Sequence, residues 1–566
     1  MKISVITVVY NAVADIEKTI LSVMQQRYND YEYIVVDGAS TDGTVDVIRR
    51  YENSITQWIS EPDKGIYNAM NKAVCMAKGE YCIFMNAGDG FANQLVLKAV
   101  SLFLSDDFDV LTGCEYSTKN GKIIDYVKPQ AQVTLKHLYI SSISHQSSFI
   151  RRSLLLEYPY DENLRLVSDW KFWIQTLALG GKNYRAIDVD VSLFNHDGIT
   201  FSQKEQGMKE RQQVLFELIP NSLDSNYIVL NKTGCFFVTK LQICNRLYKK
   251  VKIDRLKHKI KSVANYFTVL GTQAIMVIVG KILVSIKIDR GRSIIHNTIM
   301  KYLDRNYSEI IDEDRVFLLS DNLFKDSFPI WVCWWQGERM MPLIPKLCLK
   351  KLKQNKRSDQ QVIVISEDNY RDYIDLPQYI IDLLNYGKIS ITNFSDVLRY
   401  ALLSKYGGLW IDSTCYTTSE LPNLKDILYY TTKQRKYGDD TYISRYRWGS
   451  YLMGGMPNQI FVNERNLFFE YLKKERCFVD YLLLDYFLNL IYIRSETCSE
   501  TMDNCLYHNE NILEMAGKLN GVYNDALWND ILVMDTIHKL SWKLKYNMYD
   551  KNTGDMTVFG KIIDLA

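Results

Sequence analysis

Two acidic residues and an amide near the N-terminus stand directly after apolar runs. Asn11 follows ITVVY, Asp37 follows YIVV, and Asp89 follows YCIFM within NAGD. The carboxyl ends of parallel strands meet at one edge of a sheet, so this spacing predicts that the three side chains share a rim. Carboxylate oxygens are the ligands that hard divalent cations prefer, which makes Asp89 a candidate metal ligand. Asp169, in VSDWKFW, is a candidate general base.

A second set of charged residues lies far along the chain, in SDVLRYALLSKYGGLWIDST. The segment predicts a helix, a glycine turn and a strand that ends at Asp412. Asp396 and Arg399 are three residues apart and therefore share one face of the helix. The planar guanidinium of Arg399 is suited to bind phosphate, and Asp412 is a second candidate metal carboxylate. The alternative is that Asp396 and Arg399 form an ordinary ion pair on a helix surface.

The composition limits what this chain can be. Its 566 residues exceed what one hydrophobic core usually supports, so two or three domains are expected. The 68 basic and 66 acidic residues nearly cancel, which gives no indication of a nucleic-acid partner. The 11 cysteines show no CxxC pairs or metal-ligand spacing and are typical of reduced thiols in a cytoplasmic protein. We expect no signal peptide, because MKISVITVVYN runs directly into a predicted strand.

Strands that alternate with helices predict an α/β fold in both halves. The first half has predicted strands at residues 3–9 and 33–36 and predicted helices at 14–26 and 44–51. The second half has predicted strands at 329–334, 361–366 and 408–411 and predicted helices at 345–354 and 394–406. We therefore predict a domain over residues 1–220, a basic helical linker over 221–315 and a second domain over 316–566.

The predicted linker combines basic and apolar segments. Residues 240–261 contain nine Lys/Arg and one acidic residue, Asp254, in a helical pattern. The uncharged run that follows, residues 267–280, has 14 residues, and about 18–20 are needed to span a bilayer. This pattern favours a peripheral contact with the inner face of the cell membrane. The alternative is a helical linker that packs on its own domains and whose lysines are only solvated.

The N-terminal motifs together resemble glycosyltransferase family 2, the inverting enzymes with the Rossmann-like fold called GT-A. The resemblance covers about residues 1–220 and rests on VITVVYN, DGASTDGT, EPDKGIYNAMNKA, NAGD, SHQSSFIRR and SDWKFW in that order. It implies Asp89 as the ligand of Mn²⁺ or Mg²⁺ and Asp169 as the catalytic base. It also implies a set of contacts to the nucleotide-sugar donor, which comprises Thr7, Tyr10, Asn11, Asp37, Ser40 and Asp63.

The sequence does not assign a role to three residues of this region. The usual acidic DxD is NAGD here, so Asn86 stands where the family has its first carboxylate. His145, in HQSSF, is compatible with a functional role and equally with a satisfied core histidine. His196, in FNHDGIT, is a candidate for contact with the diphosphate or the metal.

The C-terminal motifs resemble glycosyltransferase family 32 and, more closely, the related capsular polysaccharide synthesis proteins. The resemblance runs from about residue 330 to 543 and implies a second GT-A domain, one that retains the anomeric configuration. It implies donor contacts by Asp396, Arg399 and Lys539 and metal contacts by Asp412 and His538. The second carboxylate of DxD is missing, because the motif reads Asp412-Ser413-Thr414.

The two resemblances together imply a bifunctional glycosyltransferase with two GT-A domains joined by a helical linker. It would use nucleotide-sugar donors, UDP-sugars by default, and a lipid-linked or oligosaccharide acceptor of a bacterial capsule or O-antigen. One alternative keeps a single active family 2-like domain and makes the C-terminal domain a degenerate glycan-binding module. The other alternative is a non-catalytic scaffold for capsule assembly.

Overall fold

The computed structural model describes residues 2–105, 107–119, 121–195, 204–219, 261–288, 290–313, 324, 327–433, 442–506 and 509–566. The chain divides into two compact units. Unit 1 comprises Met1–Phe237, Asn520–Tyr523 and Tyr546–Ala566. Unit 2 comprises Val238–Leu519 and Asn524–Lys545. The boundaries 1–220, 221–315 and 316–566 remain predictions, and linker residues 221–260 and His196 lie outside the described residues.

Unit 1 is built on a nine-stranded mixed sheet with the order β3-β2-β1-β4-β8-β6-β9-β5, in which β7 pairs with β6. The first four strands in this order are parallel to one another, so their carboxyl ends lie along one edge. The strands are β1 Ile3–Val9, β2 Tyr31–Asp37, β3 Gln57–Ser60, β4 Tyr81–Phe84, β5 Gly90–Phe91, β6 Val110–Lys119, β7 Lys122–Val127, β8 Ser148–Arg151 and β9 Tyr184–Asn195.

Helices cover the central strands of this sheet, which explains why these strands are apolar on both faces. Every residue of β1 is buried, as expected for a parallel strand between two helical layers. Residues from β1, β2 and β4 form one apolar core with Tyr67, Met70, Trp170 and Trp173. The helices are α1 Ile16–Met24, α2 Thr44–Arg50, α3 Ile66–Met76, α4 Val96–Ser101, α5 Leu135–Ile140, α6 Arg152–Glu157, α7 Ser168–Trp173 and α8 Lys204–Leu218.

Unit 2 has a smaller five-stranded sheet with the order β11-β10-β12-β15-β14 and a two-stranded ladder of β13 and β16. Strands β11, β10 and β12 are parallel, and β15 and β14 run antiparallel to their neighbours. The strands are β10 Phe328–Cys333, β11 Gln360–Ile365, β12 Gly408–Ile411, β13 Cys415–Thr417, β14 Tyr430–Thr431, β15 Leu452–Gly455 and β16 Ile537–Lys539.

The helices of unit 2 form a large apolar core against this sheet. They are α9 Ala274–Ser285, α10 Arg290–Tyr307, α11 Leu343–Asn355, α12 Gln378–Asn385, α13 Ile391–Tyr406, α14 Gln459–Glu475, α15 Leu483–Arg494, α16 Glu496–Asp503, α17 Glu514–Lys518 and α18 Asp525–Met534. Helix α13 begins at a capping box in which the Ser390 hydroxyl accepts a hydrogen bond from the Asn393 amide. It ends at Gly407, whose positive φ of 68° stops the helix before β12.

The C-terminal segment returns to unit 1. Its helix, α19 Val558–Asp564, buries Val558, Phe559, Ile562 and Ile563. Arg27 and Asp564 form an ion pair of 3.2 Å between Nη1 and Oδ2. Unit 1 is therefore discontinuous in sequence, which no motif predicted.

The two sheets confirm the predicted α/β class. The strands predicted at residues 3–9 and 408–411 are β1 and β12, and the other three predicted strands correspond to β2, β10 and β11 with shifts of one or two residues at their ends. The four predicted helices correspond to α1, α2, α11 and α13. The apolar runs were long enough to identify each element, but the ends depend on caps and turns.

Candidate functional site

At the carboxyl edge of the unit 1 sheet, hydrogen bonds join the loops after β1 and β2. The backbone N–H of Asn11 donates to the Ser40 hydroxyl at 2.8 Å, and the backbone N–H of Thr41 donates to the Asn11 side-chain oxygen at 2.9 Å. The buried Asp37 carboxylate accepts from the Ser40 amide at 2.9 Å and from the Ser60 hydroxyl at 2.6 Å. Asp37 thus holds the loop in place through several donors at once.

Tyr10 and Asp63 flank Gly38 at the same edge. A Cβ atom added to Gly38 would lie 2.5 Å from Asp63 Oδ2 and 3.3 Å from the Tyr10 ring. Only glycine fits here without a shift of its neighbours. The Tyr10 side chain is 64% exposed, so its ring is available to a ligand. The structure therefore brings five of the predicted nucleotide contacts together: Tyr10, Asn11, Asp37, Ser40 and Asp63.

The sixth predicted contact, Thr7, lies elsewhere. Its side chain is fully buried in β1, and its hydroxyl donates to the Met85 carbonyl at 2.7 Å. The Thr7 hydroxyl also lies 3.0 Å from the Tyr33 hydroxyl. A direct contact between this side chain and a nucleotide is incompatible with such burial, so we correct that prediction. Thr7 instead ties β1 to its neighbouring strands.

Asp89 is buried at the same edge, in the turn after β4. Its Oδ1 atom accepts a hydrogen bond of 3.0 Å from the Asn195 amide. Burial raises the pKa of the Asp89 carboxyl to about 7, because nearby positive charge does not offset the loss of solvent. Asn86 contributes a buried side-chain oxygen that has no hydrogen-bond partner among the described residues. A divalent cation would satisfy this oxygen and stabilise the ionised form of Asp89.

Asp169 lies at the end of a short hydrogen-bonded chain. The Tyr67 hydroxyl donates to its Oδ1 atom at 3.0 Å, and His145 Nδ1 lies 3.4 Å from its Oδ2 atom. The other ring nitrogen of His145 is 3.3 Å from Asn86 Nδ2. Burial alone would raise the pKa of the Asp169 carboxyl, but His145 and the Tyr67 hydroxyl outweigh it and hold that pKa below its usual value. Asp169 is therefore kept ionised, as a general base requires.

In unit 2, Arg399 lies between two carboxylates. Its Nη2 atom is 3.3 Å from Asp396 Oδ1 and 3.7 Å from Asp412 Oδ1, and its guanidinium lies over the Trp410 ring. The side chain is buried, and its Nε and Nη1 atoms have no hydrogen-bond partner within the described part of the chain. Asp396 and Arg399, for which a surface ion pair was the alternative prediction, therefore form an ion pair in the interior. Two donor atoms of Arg399 remain without a partner among the described residues.

Asp412 is held by a second cation. Lys539 Nζ is 2.9 Å from Asp412 Oδ2 and 2.5 Å from the Thr414 hydroxyl oxygen. Burial alone would raise the pKa of the Asp412 carboxyl, but Lys539 and Arg399 outweigh it and lower that pKa. The Asp412 carboxylate is therefore already compensated by two cationic side chains.

The second site does not fit the predicted metal set. His538 pairs with Tyr416 in the β13–β16 ladder, and Lys539 pairs with Cys415. Successive side chains of a strand point to opposite faces, so His538 lies on the face away from the Lys539–Asp412 contact. It is fully buried, and burial lowers the pKa of its imidazole to about 4. We correct the prediction that His538 joins Asp412 at a cation, and no group of three ligating side chains occurs among the described residues.

Two acids near Arg399, one buried and one partly buried, were not predicted from the sequence. Glu464 on α14 is fully buried, and neither carboxylate oxygen has a partner among the residues that the structure describes. Asp485 on α15 accepts a hydrogen bond of 2.9 Å from Trp448 Nε1. Burial raises the pKa of Asp485 to about 6 and that of Glu464 well above its usual value. A signal existed, because Glu464 occupies an apolar position of the helical repeat in IFVNERNLFF.

Two family models match this chain. Residues 4–152 match the model described as Glycosyl transferase family 2, and residues 282–562 match the model described as Capsular polysaccharide synthesis protein. The first match contains Asp37 and Asp89, and the second contains Arg399, Asp412 and Lys539.

Curated relatives cover only part of the chain. A protein of Mycobacterium tuberculosis strain CDC 1551 / Oshkosh, described as an uncharacterized glycosyltransferase, is 30% identical over 174 residues, which are 30% of this chain and 66% of the relative. The PGL/p-HBAD biosynthesis glycosyltransferase of Mycobacterium bovis strain BCG / Pasteur 1173P2 is 27% identical over 199 residues, 34% of this chain and 77% of the relative. The chain thus spans just under two thirds of the first relative.

Among solved structures, residues 1–349 of TarS from S. aureus, in complex with UDP-GlcNAc, are 22% identical. The match covers 40% of this chain and 69% of that one, with a TM-score of 0.33. The mannosyltransferase PcManGT from Pyrobaculum calidifontis, in complex with GDP-Man and Mn²⁺, is 17% identical over 42% of this chain and 69% of that one, with a TM-score of 0.31.

The raised pKa of Glu464 makes a prediction about stability. An acid whose pKa is raised by folding contributes its full stability below its unfolded-state pKa and loses it as the pH rises. We expect Glu464→Gln to be more stable than the wild type near neutral pH, and this advantage to shrink as the pH falls toward the ordinary pKa of glutamate. Urea unfolding of both proteins at about pH 5 and about pH 8 measures it.

The control is Glu470→Gln, because Glu470 is an exposed residue of the same helix. Its unfolding midpoint should match the wild type at both pH values. A Glu464→Gln protein that is less stable than the wild type near neutral pH would show that the carboxylate is ionised and usefully paired.

Proposed function

We propose that this chain, which combines a glycosyl transferase family 2 domain with a capsular polysaccharide synthesis domain, is a bifunctional glycosyltransferase of bacterial polysaccharide synthesis. The observation that carries the proposal is the presence of two separate sites with carboxylates at the carboxyl end of a sheet, Asp37 and Asp89 in unit 1 and Asp412 in unit 2. Each domain would transfer one sugar from a nucleotide sugar, with UDP-sugars as the first donors to test. The acceptor would be a lipid-linked glycan or an oligosaccharide.

In the first domain, Asp169 would act as the general base. It accepts the proton of an acceptor hydroxyl while that oxygen forms a bond to the anomeric carbon of the donor sugar. The bond from the anomeric carbon to the diphosphate breaks on the opposite face, and its electron pair leaves with the nucleoside diphosphate. The configuration is therefore inverted. Tyr67 and His145 position the base and keep it ionised.

Asp89 and the Asn86 side-chain oxygen would hold Mn²⁺ or Mg²⁺ in this domain. The fit rests on the unpartnered oxygen of Asn86 and the uncompensated carboxyl of Asp89. Such a cation, when bound, offsets the negative charge of the leaving diphosphate. Tyr10, Asp63 and the loop that Asp37 anchors would bind the nucleoside.

In the second domain, cationic side chains would bind the diphosphate. Arg399 has two unused donor atoms, and Lys539 stands beside Asp412 at the end of β12. Asp412 would orient both cations, and Asp396 would hold Arg399 and contact the donor sugar. The family resemblance favours retention of configuration, in which the leaving phosphate oxygen takes the acceptor proton on the same face of the sugar. Lys539 and Arg399 already compensate the Asp412 carboxylate and would take the place of a metal ion at this site.

Separate inactivation of the two domains tests the proposal. Asp169→Asn should lower one transfer step by about two to four orders of magnitude, since it removes the general base. Asp412→Asn should lower a different step, because Lys539 and Arg399 lose their common partner. The measurement is nucleotide release and product mass with a panel of nucleotide sugars. If Asp412→Asn leaves every step at the wild-type rate, the C-terminal domain is a binding module and the chain has one active site.

Chelation of divalent cations should separate the two activities. EDTA is expected to abolish the step that Asp169→Asn slows. The reason is that the cation proposed to bind Asp89 and Asn86 is needed to offset the negative charge of the leaving diphosphate. The step that depends on Asp412 should persist, because Lys539 and Arg399 supply the charge within the chain. Mn²⁺ and Mg²⁺ added back restore the first step. Loss of both steps on chelation would contradict the metal-free assignment of the second site.

The hydrogen bond from Tyr67 to the base makes a third prediction. Tyr67→Phe should move the acid limb of the pH–rate profile of the first transfer toward higher pH, because the pKa of Asp169 rises when a donor to the ionised form is lost. The rate at neutral pH should fall by about tenfold. Tyr160→Phe is the control, because the buried Tyr160 hydroxyl has no partner among the described residues and its ring packs beside Tyr67. An unshifted limb in Tyr67→Phe would remove Tyr67 from this role.

A further inference from the structure

One long apolar helix of unit 2, Lys261–Ser285, has two different faces. Its C-terminal part is α9. It is the one helix among the described residues that is long and apolar enough to cross a membrane, and it extends beyond the uncharged run on which the sequence prediction was based. One face packs into the core of unit 2 through Tyr266, Val269, Leu270, Ala274 and Val277.

Polar contacts fix this face to the rest of unit 2. The Tyr266 hydroxyl donates to Asp480 Oδ2 at 2.6 Å, and Asn265 Nδ2 donates to the Phe478 carbonyl at 3.0 Å. Lys281 Nζ lies 3.6 Å from Asp480 Oδ2. A helix held in this way cannot be surrounded by lipid on all sides, so it does not cross a bilayer in this conformation.

The opposite face carries an exposed apolar stripe, which we define as Ile275, Met276, Val279, Ile282 and Ile286. The stripe follows helical spacing, with Ile275, Val279 and Ile282 on adjacent turns. Its side chains are between 39% and 60% exposed. Isolated apolar residues are common on protein surfaces, but a continuous stripe marks a contact surface.

The charges that flank the stripe along the chain are mostly basic. No acidic residue occurs between positions 261 and 288, and Lys287, Arg290 and Arg292 outnumber the single acid among them, Asp289. The preceding residues, 240–261, contain nine Lys/Arg and one acidic residue. A partner that is apolar inside and negatively charged at its surface complements this arrangement.

We infer that the stripe docks on the surface of a bilayer that contains anionic lipids, with the helix in the plane of the interface. The apolar side chains of the stripe would enter the boundary between headgroups and acyl chains, and the flanking lysines and arginines would contact lipid phosphates. This surface is distinct from both proposed transfer sites. It would hold the chain beside a membrane-bound acceptor without this helix crossing the bilayer.

Vesicle flotation of the full-length protein tests the inference without any transfer assay. The vesicles are phosphatidylcholine alone or phosphatidylcholine with about 30 mol% phosphatidylglycerol. The wild type should float with the anionic vesicles, float less with the neutral ones, and lose binding as salt is raised. The double variant Ile282→Glu/Ile286→Glu should lose about tenfold or more of its vesicle binding, because two charged side chains replace the apolar contact.

The matched control is Ile123→Glu/Ile124→Glu. These isoleucines of β7 are 61% and 53% exposed and lie in unit 1. The control should bind vesicles like the wild type, and circular dichroism and thermal unfolding should show that both variants are folded. Equal flotation of the stripe variant and the wild type would overturn the inference. Light scattering that shows self-association lost in the stripe variant, with no vesicle binding by the wild type, would overturn it in favour of a second copy.

Discussion

A carboxylate that is buried or partly buried at the end of a parallel strand requires compensating charge, and the two units meet this requirement in different ways. In unit 1, the buried Asp89 receives a backbone hydrogen bond, His145 offsets only part of its burial, and its pKa is raised to about 7. In unit 2, Lys539 and Arg399 both contact Asp412 and lower its pKa. Because Coulomb energies grow as solvent is excluded, this difference in the source of the compensating charge is the main electrostatic difference between the two sites.

The elements around each site are arranged to supply that compensation. Asp37 accepts hydrogen bonds from Ser40 of the following loop and from Ser60 at the end of β3, and so fixes the rim on which Tyr10 and Asp63 stand. In unit 2, helix α13 brings Arg399 to the end of β12, and the β13–β16 ladder brings Lys539 there from the other end of the unit. The chain then returns to unit 1, whose C-terminal helix is part of its core. A fragment cut at residue 220 would therefore lack a buried part of its own unit.

The fold class was readable from local pattern. Parallel strands that are covered on both faces are mostly apolar, and β1, β2 and β10 show this as runs in which apolar residues predominate. The glycine pair after α13 marked a turn because Gly407 and Gly408 both adopt positive φ, and a Cβ on Gly408 would lie 2.4 Å from the Pro329 carbonyl. The return of residues 546–566 to unit 1 was not readable, because contacts between distant segments leave no periodic signal in the sequence.

For the sites, the sequence alone determined which residue types follow strands and which stand on helices, and so it proposed Asp37, Asp89 and Asp412 after strands and Asp169 and Arg399 on helices. It also placed Lys539 beside His538, but it could not assign the two side chains to opposite faces of a short strand that no apolar pattern announced. Only the tertiary structure decided that Thr7 is enclosed, that His538 faces away from Asp412 and that Glu464 is buried with no partner among the described residues. The reason is physical: the identity and spacing of side chains are local properties, whereas burial and charge compensation depend on segments that meet only when the chain folds.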